Sequence, residues 1–145
     1  MNDEYESKLF TESALRLISD SISGKEVCYS ENMGLAELEM RTREAGTGVF
    51  HKYLAHGLYR LCAEPEHEYE LPFIMRLSSQ KIVMRLIFRI SSSDYSVSVS
   101  VRKIERDGEE MPLPSKRTVS FGADLFESAN EGGERMLSFT GGTYT

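Results

Sequence analysis

YELPFIMRLSSQKIVMRLIFRISSSDYSVSVSVRK, residues 69–103, alternates apolar and polar side chains with period two through three consecutive segments. Tyr69, Leu71, Phe73, Met75 and Leu77 share one parity, as do Ile82, Met84, Leu86, Phe88 and Ile90, and then Tyr95, Val97, Val99 and Val101. A strand alternates this way when one face is buried and the other meets water, because successive Cβ atoms point to opposite sides. The stretch therefore predicts an antiparallel meander, with linkers at 78–81 and 91–94. Setting Leu77 opposite Ile82 and Ile90 opposite Tyr95 puts every apolar row on one face. A slip of one residue in either pairing would turn a row into solvent. Neither linker carries the Asn-Gly or Asp-Gly pair of a primed hairpin turn, so turn length is left open.

The opposite face carries Glu70, Pro72, Ile74 and Arg76, then Val83, Arg85, Ile87 and Arg89, then Ser96, Ser98, Ser100 and Arg102. In the register above, Glu70 lies opposite Arg89, whereas Arg85 falls between Ile74 and Ser100 with no acid beside it. Ile74, Val83 and Ile87 ringed by Arg76, Arg85, Arg89 and Arg102 have the make-up of a protein-binding patch, in which Arg is enriched. These seven are the candidate binding residues. The serine row is small enough for another backbone to approach. No aromatic residue on this face offers a platform on which bases stack. Another protein, or a second copy of the chain, is therefore the expected partner, and a nucleic acid ranks behind it.

Charge is distributed unevenly. Residues 1–70 hold 14 acids and 7 bases, residues 71–106 hold 2 and 7, and residues 107–145 hold 7 and 3. The positive charge sits on the meander and the acid around it, within a chain of net charge −6. Such a basic stretch serves an acidic partner or neutralises neighbouring acidic elements. Composition at 40% hydrophobic and 28% charged is that of a globular domain. Cys28 and Cys62 are too few for a disulfide framework and read as reduced thiols of a cytoplasmic protein. The start, Met1-Asn2-Asp3-Glu4, has no apolar run of signal-peptide length, and no stretch is long enough to span a bilayer.

Outside the meander, Tyr5, Leu9, Phe10, Ala14, Leu17, Ile18 and Ile22 form a helical stripe ended by Gly24. A second helix is predicted over Thr47–Ala63, with Gly57 inside it marking close packing on the sheet. Val27 and Tyr29 suggest a short strand. In residues 33–44 the alternation of Ala36, Leu38, Met40 and Thr42 with charged residues favours a hairpin, while the composition and the Glu37–Arg41 spacing favour a helix; pattern outranks propensity, and a hairpin is the expectation by a narrow margin. Residues 107–116 read as a loop, 117–121 as a strand with Val119 and Phe121 inward, 124–130 as a short helix and 136–140 as a last strand. The final stretch, 140–145, is expected to fray.

Chemistry-bearing motifs are sparse. His51 and His56 are five apart, which places them on different sides of a helix and disfavours a shared metal. A Cys62–His67 pair has no orienting third group. The sequence therefore leads to a single α+β domain over residues 1–145: two main helices packed on an antiparallel β-meander of four to six strands. The expected function is a non-catalytic, homodimeric interaction module (adaptor, chaperone-like binder or inhibitor), acting through the Arg-rimmed sheet face without metal or cofactor. A nucleic-acid-associated protein using that basic face is the alternative. A small enzyme with His51 or His56 as general base is third.

Overall fold

The computed structural model describes residues 3–61, 67–127 and 133–145. Helix α1, Asp3–Ile22, opens the chain and is followed by β1, Glu26–Tyr29, α2, Leu35–Glu44, a 3-10 turn at Gly48–Phe50 and α3, His51–Arg60. Six strands then follow: β2 Glu68–Leu77, β3 Gln80–Ile90, β4 Val97–Arg106, β5 Glu109–Glu110, β6 Thr118–Glu127 and β7 Arg135–Tyr144. All pairings are antiparallel, in the order β1-β7-β6-β4-β3-β2 with β5 beside β4, and the sheet curls into a half-barrel. The fold is α+β, built on the predicted meander.

The three helices line one face of this sheet. α1 lies against β4, β6 and β7, α3 against β3, and α2 against β1 and α3. Leu71, Ile82, Met84, Leu86, Phe88 and Ile90, then Val97, Val99, Val101 and Ile104, point into that interface and are buried. Each such side chain contributes roughly 1.5–3 kcal/mol through removal from water. Gly57 lets α3 settle on β3, since a Cβ there would stand 2.5 Å from Ile90 Cδ1. Gly142 does the same for α1, where a Cβ would meet Ser19 Oγ at 2.8 Å.

The faces of the meander are as predicted, but both registers differ by two residues. Leu77 pairs with Gln80 and Met75 with Ile82, so the turn is only Ser78 and Ser79. Ser78 takes φ 54°, a conformation normally given to Gly, which is why no turn signal announced it. Ile90 pairs with Val97 rather than Tyr95. Further along, Leu86 pairs with Val101 but Arg85 with Lys103, so Arg102 is the extra residue of a β-bulge. Glu70 accordingly faces Ile87, and it is Glu68 that faces Arg89.

Four local expectations are corrected. Residues 35–44 are helical: Leu38 and Thr42, one turn apart, are buried, while Met40, which a strand would bury with them, is 46% exposed. Packing on α3 selects the helix over the alternation. α1 is rotated from its apolar stripe, burying Ser7, Thr11 and Leu15 while Tyr5, Leu9 and Leu17 stay exposed. Arg106 of β4, bonded to Asp3 and Glu6, holds its first turn in that rotation. Residues 124–127 continue β6 instead of forming a helix, with 128–130 outside the described residues. The tail does not fray: β7 runs to Tyr144, and Thr145 exchanges backbone hydrogen bonds with Thr118. The end of the predicted second helix and Cys62 lie outside the described residues.

Candidate basic face of the sheet

The face turned away from the helices carries the candidate residues. β2 places Ile74 and Arg76 there, β3 places Val83, Arg85, Ile87 and Arg89, and β4 places Arg102. Ile74 is 51% exposed and the four arginines are exposed, with Val83 partly covered. Ile87 departs from expectation: it is 6% exposed and does not offer itself to a partner. It floors a shallow basin of about 330 Å³ whose walls are Arg89, Arg102, Arg117, Ser100, Thr118 and Leu113. The apolar centre is therefore Ile74 and part of Val83, and Ile87 belongs to the base of the basin.

The arginines fall into two groups. Glu68 bridges Arg89 and Arg102, contacting Arg102 at 3.3 Å, so these guanidiniums already share one carboxylate. Arg76, Arg85 and Arg117 have no ion-pair partner among the described residues. The bulge turns both Arg102 and Lys103 to this face, and Lys103 sits opposite Arg85, where the same register without the bulge would have placed Arg102. Lys103 reaches Glu105 at 3.7 Å. Positive charge thus concentrates around Arg85. Lys103, Glu68, Leu113 and Arg117 were not legible as site residues. A bulge leaves no compositional mark, and Leu113 and Arg117 arrive from the β5–β6 connection.

The histidines are not gathered into a site. His51 Nδ1 is 2.8 Å from Gly48 O, and His56 Nε2 is 3.2 Å from Glu39 Oε1. His67 packs edge-on to Tyr69 with ring centroids 4.5 Å apart. A carboxylate beside His56 is one part of a general-base pair, yet neither His51 nor His56 lines the basin or the cleft of about 320 Å³ between α1 and β7. That cleft is walled by Glu12, Leu15, Arg16, Lys116, Thr118 and Tyr144. Among the described residues no cluster of His, Cys, Asp and Glu is arranged to hold a metal ion. Cys28 is a free thiol that donates to Glu134 Oε2 at 3.1 Å; burial, then that bond, raises its pKa and keeps it protonated. No helix among the described residues is long and apolar enough to cross a membrane.

Comparison with known proteins leaves the face to be read on its own terms: no family model, no curated protein and no solved structure matches the chain.

Proposed function

We propose that the chain is a non-catalytic interaction module that binds an acidic protein surface through the outer face of β2, β3 and β4. The observation that carries this reading is Arg85. It is exposed, has no carboxylate in reach among the described residues, and is flanked by Arg102 and Lys103 next to the half-exposed Ile74. An unpaired guanidinium beside exposed apolar surface is the arrangement that interface hot spots draw on, because Arg supplies both charge and a flat apolar plane. Glu68 tempers the adjacent pair, Arg89 and Arg102, and favours a partner that brings its own carboxylates to Arg85, Arg76 and Arg117. A reducing, cytoplasmic setting is part of the same reading, in keeping with the free thiol of Cys28.

The test is affinity capture from extract with the wild-type chain and with an Arg85→Glu/Arg89→Glu variant, followed by identification of what is retained. A protein held by the wild type and lost by the variant supports the module. Retention of nucleic acid instead, falling steeply with salt, would replace it with the nucleic-acid reading.

A further inference from the structure

The sheet has two open edges, and they differ. β1 has four residues and lies beside α2, whereas β2 has ten and, among the described residues, no strand on its far side. Because Ser78 and Ser79 form a two-residue turn, Leu77 and Gln80 exchange both backbone hydrogen bonds, and bonded pairs then recur at every second residue. Met75, Phe73 and Leu71 are thereby committed to β3. The N–H and C=O groups of Glu70, Ile74 and Arg76 point to the open edge, and Pro72, which has no N–H, occupies the position where none is needed by β3.

From this edge we infer that two copies of the chain associate through antiparallel pairing of β2 with β2, the two-fold axis passing at Phe73. The register follows from side-chain order. Glu70 and Arg76 have no ion-pair partner among the described residues. With the axis at Phe73, Glu70 of each copy stands opposite Arg76 of the other, and Ile74 opposite Pro72. The unpaired charges satisfy one another twice, and the exposed Ile74 is covered on both sides of the axis. Moving the axis to Pro72 puts two residues without N–H groups opposite each other at the centre. Moving it to Ile74 sets Arg76 against Pro72. A shift that changes parity sends the apolar row of one copy to the solvent face of the other. In the chosen register each Glu70–Arg76 pair forms two backbone hydrogen bonds and each Pro72–Ile74 pair one, about six in all. Growth stops at the dimer, because the pairing consumes the one long open edge among the described residues of each copy. This association takes Ile74 and Arg76 from the margin of the face proposed above and leaves Arg85, Arg89, Arg102 and Arg117 open, and it would lay two such faces side by side in one continuous sheet.

The experiment is sedimentation equilibrium of the full chain over a range of concentrations, with circular dichroism as a check on folding. The wild type is expected to show a concentration-dependent dimer. Glu70→Arg and Arg76→Glu are each expected to weaken it by about tenfold or more, since two attractive pairs become repulsive. The double exchange Glu70→Arg/Arg76→Glu restores it. Ile74→Pro removes an edge N–H that β3 does not use, so it abolishes the dimer while leaving the β2–β3 ladder in place. A wild type that stays monomeric throughout overturns the edge pairing and leaves the outer-face reading standing. So does a dimer indifferent to these four variants. A dimer lost only in Arg85→Glu/Arg89→Glu overturns it too, placing the contact on the face.

Discussion

Two buried threonines behave oppositely although both are fully buried. Thr42 Oγ1 lies within 3.0 Å of the carbonyl oxygens of Leu38, Glu39 and His51, and so joins α2 to the start of α3. Thr11 Oγ1 has no hydrogen-bond partner among the described residues. Thr42→Val is expected to lower stability by about 1 kcal/mol, because it removes the hydroxyl's hydrogen bond joining α2 to the start of α3. Thr11→Val is expected to raise it by about 1 kcal/mol, since it removes a hydroxyl buried without compensation. Urea titration of both variants reads the sign. Asp94 gives the chain an acid-sensitive turn. It accepts from the Ser96 hydroxyl at 2.7 Å and the Ser96 amide at 3.0 Å, which lowers its pKa below the ordinary 3.8. A depressed carboxyl stabilises the fold above its unfolded pKa and loses that contribution as pH falls through the folded value. Protection of the Ser96 amide from hydrogen exchange should therefore drop at acid pH in the wild type. In Asp94→Asn it should be low at neutral pH and change little on acidification.

At the scale of elements, the contact of α3 with β3 rests on one missing side chain. Ala is the better helix former by about 1 kcal/mol, yet a Cβ at Gly57 would stand 2.5 Å from Cδ1 and 3.0 Å from Cγ1 of Ile90, which is 3% exposed and would have to shift within a packed core. Overpacking of this kind costs about 1–3 kcal/mol, so Gly57→Ala is expected to destabilise. Ile90→Val, which removes the Cδ1 nearest the new methyl, should recover part of the loss in a double-mutant cycle of melting temperatures. The close packing of Gly57 was readable from the sequence, as were the face assignment of β2, β3 and β4 and the inward Val119 and Phe121. The helix at 35–44 was not, because its alternation fits a strand and only contact with α3 decides between them.

For the molecule as a whole, the helices cover one side of the sheet and leave charge on the other. Arg85→Glu should leave the thermal midpoint within the equivalent of about 0.5 kcal/mol, as expected for an exposed residue with no ion-pair partner among the described residues. Its effect should fall on partner binding instead. A large drop in the midpoint would mean that Arg85 serves the fold, and would remove the basis of the outer-face proposal.

Alternation within 69–103 was enough to set which side chains enter the core, because a period of two admits only two choices and burial rejects one of them. The candidate residues from Ile74 to Arg102 could be picked out on that ground alone. Which of them are free to act was decided by the tertiary structure. A two-residue turn at a non-glycine position moved the register and brought Glu68 to Arg89 and Arg102, a bulge brought Lys103 to Arg85, and Ile87 sank to the floor of a basin. Parity is a local property of one strand, whereas register, bulges and the approach of distant loops are settled by where the whole chain can pack without leaving a gap.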